Sequence, residues 1–84
     1  MKQKVYFAVI KQFCGNKEEG AWIISTHYNQ LDAEMAAYAK YFEMEKHERC
    51  AYSEWSDFGG FRGLVRYNTG HSWSIYTKEQ EVEL

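Results

Sequence analysis

Proline is absent from this chain, and so is any apolar run long enough to cross a bilayer. The longest such run, residues 5–10, falls far short of the roughly 20 residues a spanning helix needs. Without proline there are no polyproline segments and no Pro-rich linkers. Neither charge dominates, because the formal net charge is only −2. A strongly basic domain would point to nucleic acid, and a strongly acidic one to a mimic of it; this chain is neither. Cysteine is scarce, and Cys14 with Cys50 permits at most one disulfide. Lys2 and Lys4 precede the apolar run as in a signal peptide, but the run is short and no small-residue cleavage site follows. The expectation is a cytoplasmic protein with no membrane segment, its thiols reduced, unbridged and buried. Internal repeats and low-complexity tracts are also missing.

What is present is aromatic. The 84 residues, read as a single domain over 1–84, are 45% hydrophobic and 18% aromatic. Each ring removes a large area from water, so a small domain rich in rings can still bury a useful core. Charge is segregated along the chain. Residues 1–17 hold four Lys and no acid, residues 18–57 nine acids against three bases, and residues 58–78 three bases and no acid. Acidic and basic surfaces side by side suit a polar protein interface.

Residues 4–14 are rich in aromatic and β-branched side chains and read as a strand. Val5, Phe7 and Val9 face one way and Tyr6, Ala8 and Ile10 the other, which marks a central strand. Residues 15–20, with Gly15, Asn16 and Gly20, read as a turn. Residues 21–28 then form a second strand, hairpinned to the first. Residues 50–56 make a weaker third strand carrying Tyr52 and Trp55. A break at Asp57-Phe58-Gly59-Gly60 leads to a fourth strand over residues 61–67, in which Phe61, Val65 and Tyr67 oppose Arg62, Leu64 and Arg66. After a turn at residues 68–71, the fifth strand spans 72–78, with Trp73 and Ile75 inward and Tyr76 outward. Residues 79–84 set Val82 and Leu84 between glutamates and either extend that strand or fray.

Residues 29–49 contain no Gly, Pro or β-branched residue and form the one long helix. Asn29 is its N-cap, and Lys46, His47 and Arg49 fall in its expected last turn. The order β-β-α-β-β-β predicts an α+β fold: an antiparallel sheet of four to five strands with one long helix across one face. Two apolar stripes run along the helix. Leu31, Met35, Tyr38 and Phe42 are expected against the sheet. Ala33, Ala37, Tyr41 and Met44 lie well round the cylinder, with Glu34 and Glu45 between the stripes. This second stripe either packs at the sheet margin or docks a partner or a second copy of the chain.

Chemistry-bearing motifs are few. His47 and Cys50 are spaced i, i+3, and Cys14, His27 and His71 are the other candidate ligands, but zinc sites usually show two tight pairs. No metal or cofactor is expected on that pattern. Neither cysteine lies in a recognisable nucleophile motif, so no catalysis is expected either. Arg62, Arg66 and Tyr76 make a small aromatic-basic patch fit for a single-stranded nucleic acid, though net charge opposes that reading.

Aromatics in excess of what one small core needs are the residues that most often anchor interfaces. The short strand set paired with an Ala-rich acidic helix resembles small phage-encoded inhibitors of host machinery, polymerase inhibitors and anti-CRISPR proteins among them. That resemblance is of architecture and composition and carries no motif. It implies a non-catalytic module that binds a host protein, such as a nucleic-acid-processing complex, and leaves a homodimer open. The residues expected at the partner are Glu34, Ala37, Tyr41, Met44, Glu45, Arg62, Arg66 and Tyr76. The alternative is a single-strand nucleic-acid binder using the last three.

Overall fold

The computed structural model describes residues 1–83. Its elements are β1 (Lys2–Cys14), β2 (Lys17–His27), α1 (Gln30–Glu45), β3 (Cys50–Ser56), β4 (Arg62–Tyr67) and β5 (His71–Glu83). They form an α+β fold, one antiparallel five-stranded sheet in the order β2-β1-β5-β4-β3 with the single helix on one face. The tail extends β5, which pairs with β1 from Lys2 opposite Glu83 to Cys14 opposite His71. This long ribbon gives the molecule its elongated shape of 47 × 22 × 19 Å. Leu84, grouped with Val82 in the sequence reading, lies outside the described residues.

β2 starts at Lys17 rather than at residue 21. The turn shrinks to Gly15-Asn16, because Gly15 at φ 61 supplies the left-handed step that a two-residue hairpin loop requires. Lys17 and Glu18 then pair as an edge strand, where charged side chains are favoured. The helix is also shorter than expected and ends at Glu45, not Arg49. Its start is as read: Asn29 Oδ1 accepts from the Asp32 N–H at 2.8 Å. At its end the Tyr67 hydroxyl donates to the Met44 carbonyl at 2.9 Å, and the His47 N–H donates to the same carbonyl at 3.2 Å. These bonds satisfy a carbonyl that another helical turn would otherwise use. The His47 ring stacks on Tyr67 at 5.0 Å and turns the chain toward β3. No basic residue therefore lies in the last turn.

The helix presents the opposite stripe to the one expected. Ala33, Ala37 and Tyr41 are buried against the sheet, while Leu31 and Met35 are 66% and 63% exposed. The core joins Ala37 and Tyr41 to Ala8, Ile10, Phe61, Val65 and Ile75. Small residues explain the choice. Ala33 and Ala37 let the helix backbone approach closely, and Gly63 on β4 leaves a gap that the Tyr41 ring fills. At the ordinary helical period, Leu31, Met35, Tyr38 and Phe42 lie roughly 100–160° round the cylinder from Ala37. They therefore form its flank. Ala37 and Tyr41 are core residues and not partner contacts. Met44 is half-buried and packs against the same core.

Cys14 and Cys50 are both free. Cys50 packs against the core, but Cys14 is exposed, because it ends β1 at the hairpin turn. Among the described residues, the one helix is not long and apolar enough to cross a membrane.

Candidate functional site

A shallow depression lies between the first half of α1 and the β3–β4 loop, lined by Leu31, Met35, Tyr38, Trp55 and Phe61. Its floor is aromatic. Tyr38 meets Trp55 edge-on at 5.3 Å and Phe61 at 5.5 Å, and Trp55 stacks on Phe61 at 6.1 Å. Such contacts hold the rings in one arrangement. Glu34 and Asp57 form an acidic rim. The Gln30 side chain donates to Glu34 Oε1 at 3.1 Å and so orients that carboxylate.

Next to the depression, Phe58 is 95% exposed. Its N–H donates to Ser56 Oγ at 3.2 Å, and Gly59 and Gly60 follow at φ 76 and 112. Two successive residues in this region turn the loop sharply, which a side chain would resist. The Asp57-Phe58-Gly59 tripeptide is thus a turn that lifts a ring into solvent. Trp55 on β3 is 45% exposed and joins the loop to the helix flank.

The sheet face away from the helix carries the second cluster. Arg62 lies directly opposite Tyr76, with Leu64 opposite Ser74 and Arg66 opposite Ser72. β1 contributes Phe7 opposite Lys78 and Val9 opposite Tyr76. Cations here lie over rings. Lys11 Nζ is 5.9 Å from the Tyr76 ring, and the Arg66 guanidinium is 5.8 Å from the Tyr52 ring. The acids on this face are engaged: Glu18 pairs with Lys11 at 3.4 Å, and Glu54 accepts from the Tyr52 hydroxyl at 2.7 Å. That hydrogen bond holds the Tyr52 hydroxyl above its ordinary pKa. Arg62, Arg66 and Tyr76 are thus brought together as the sequence suggested. Lys11, Lys78, Phe7 and Tyr52 join them. They escaped the sequence reading because only the strand order reveals that β1 and β3 share this face.

The remaining expected contacts are dispersed. Glu45 accepts from Ser53 Oγ at 3.3 Å at the helix margin, distant along α1 from Glu34. Of the candidate metal ligands, His27 Nε2 lies 2.7 Å from Ser25 Oγ, His47 stacks on Tyr67, and the Cys50 thiol donates to the Tyr52 carbonyl. Cys14 and His71 do meet, and Glu19 joins them.

No protein-family model matches the chain, and comparison with curated proteins and with solved structures gives no match.

Proposed function

We propose that this chain is a non-catalytic protein-binding module that takes an apolar segment of its partner on the flank of α1 and the β3–β4 loop. The observation that carries this reading is the exposed apolar surface of Leu31, Met35, Trp55 and Phe58 beside an aromatic depression. A small soluble-type core does not need to leave four large apolar side chains together in water, and such patches mark interaction sites. Rigid aromatic anchors lose little freedom on binding, which favours Tyr38 and Trp55 as the centre of the contact. Glu34 and Asp57 at the rim favour a partner segment that sets a basic residue beside its apolar one. The resemblance of architecture and composition to small phage-encoded inhibitors of host machinery, anti-CRISPR proteins included, supports a role in binding a host protein.

Affinity capture from cell lysate, with and without nuclease, tests the proposal. Wild type should retain a protein partner after nuclease treatment, and a Leu31→Ser/Phe58→Ser variant should lose it. An identical captured set from both, or loss on nuclease treatment, counts against it. The second reading, a single-stranded nucleic acid on the open sheet face, is favoured by the placement of Lys11 and Arg66 over the rings of Tyr76 and Tyr52. Fluorescence polarisation with a labelled oligonucleotide separates the two. Binding that survives Leu31→Ser/Phe58→Ser but falls in Arg62→Ala/Tyr76→Ala supports the second.

A further inference from the structure

We propose that Cys14, Glu19 and His71 form a three-ligand site for one zinc-class divalent cation, with the fourth coordination position open. The site lies where three strands meet at the hairpin end of the sheet. Each residue brings one ligand atom within 4.8 Å of the other two. His71 Nε2 and Glu19 Oε1 are 3.6 Å apart. A tetrahedral ion with bonds of about 2.0–2.3 Å keeps its ligand atoms roughly 3.3–3.8 Å apart, so small side-chain rotations close the set.

The backbone builds this convergence. Cys14 and His71 are direct partners across β1 and β5, so both side chains leave the same face. Glu19 would not reach that face in a regular ladder. In β2, Gly20 opposes Gln12 and Glu18 opposes Phe13, which leaves Glu19 as the extra residue of a bulge. A bulge re-aims the side chain it carries. The two turns that flank the site are also tied together, because the Gly15 N–H donates to the Gly70 carbonyl at 3.2 Å.

Two further side chains orient the ligands. His71 Nδ1 lies 3.1 Å from Thr69 Oγ1. With the ring proton on Nδ1 and donated to that hydroxyl, Nε2 keeps its lone pair toward Glu19. Gln12 Nε2 donates to Glu19 Oε1 at 3.0 Å and fixes the carboxylate. Outer partners of this kind hold a ligating imidazole and carboxylate in place. The arrangement does not suit a thiol relay. There the acid takes one imidazole nitrogen and the thiol the other, whereas Glu19 lies at Nε2 and Thr69 occupies Nδ1. A thiolate, an imidazole and a carboxylate together select zinc over magnesium or calcium. On binding, the Cys14 thiol releases its proton to water, so affinity rises with pH. Cys14 is exposed and unbridged, and hence free to ligate.

The test is titration of the reduced chain with Zn2+ against a chromophoric chelator, and with Co2+ by absorbance. One ion per chain is expected, with a thiolate-to-cobalt charge-transfer band and the visible bands of a four-coordinate site. Cys14→Ser should remove the charge-transfer band and weaken Zn2+ by more than about 100-fold, beyond the loss typical of an outer partner. Thr69→Val should weaken it by roughly tenfold. Cys50→Ser should change neither. A wild-type chain without the band, equal Zn2+ affinity in wild type and Cys14→Ser, or loss of the band in Cys50→Ser overturns the proposal. Circular dichroism of each variant keeps a folding defect from being read as a lost ligand.

Discussion

Gly63 on β4 and Tyr41 on α1 share one volume: a Cβ on Gly63 would lie 2.6 Å from Tyr41 Cδ2. The glycine is buried, and the ring above it is 1% exposed. Gly63→Ala should therefore destabilise the fold by about 1–3 kcal/mol, the usual range for an overpacked core. The two sites should also be coupled. In a Tyr41→Ala background the added methyl has room, so its cost should largely vanish. Urea unfolding of the four-member cycle measures this, and additive losses would mean the ring and the glycine do not meet.

The swapped helix stripes set a second test. Tyr41→Ala should cost roughly 3–5 kcal/mol, as removal of a buried ring does. That is a large share of the stability of a domain this size, so the unfolding midpoint of the variant should fall steeply while a folded baseline remains. Leu31→Ala and Met35→Ala should stay within about 0.5 kcal/mol of wild type, as exposed substitutions do. Thermal melts decide it. The reverse order would put Leu31 and Met35 in the core.

Alkaline stability follows from the same ring. Burial, above all, raises the pKa of the Tyr41 hydroxyl over its ordinary 10.0, and burial raises Tyr67 likewise. The folded chain thus holds these protons to higher pH than the unfolded chain. The stability this represents is fully present below about pH 10 and is lost as pH rises through the folded values. Tyr41→Phe cannot ionise, so its urea midpoint should decline less between neutral pH and about pH 11. Parallel declines in the two proteins would contradict the assignment.

The two thiols should react at different rates. Cys14 is exposed and Cys50 half-buried against the core. Brief alkylation of the native chain should give one adduct, at Cys14 by peptide mapping, and denaturation should add the second. A non-reduced chain two daltons lighter, refractory to alkylation, would instead show a disulfide.

Much of the fold is legible in the sequence because local chemistry decides it. Asn29 caps the helix whatever lies beside it, and the alternation of Arg62, Leu64 and Arg66 against Val65 and Tyr67 sets the faces of β4. What was not legible depends on a partner element. Two stripes on α1 are each apolar enough to be core. Only the facing strands select between them: Gly63 leaves the space that the Tyr41 ring fills, and Ala8 packs in the same core as Ala37. The larger stripe then becomes the candidate docking surface, the reverse of a choice made on hydrophobicity. Lys17 and Glu18 look like loop by composition, yet an edge strand asks them only for backbone pairing. The same bulge that shifts their register brings Glu19 to Cys14 and His71, which no spacing in the sequence announces.

The position of β5 bears on how the chain reaches this state. β2 and β1 form one ladder and β4 and β3 another, and β5 alone hydrogen-bonds to both. The β1–β2 hairpin is local in sequence, and so is the β3–β4–β5 meander, in which residues 68–70 turn β4 into β5. Two-stranded ladders are marginal in water. The β1–β5 contacts are the most distant in sequence, from Lys2 opposite Glu83 to Cys14 opposite His71, so loop-closure entropy must be met before they form. Completing the sheet therefore requires the pairing of β1 with β5, which joins the two local units. Before that pairing the inner edges of β1 and β5 stand unpaired, the condition in which strands of different molecules pair by mistake.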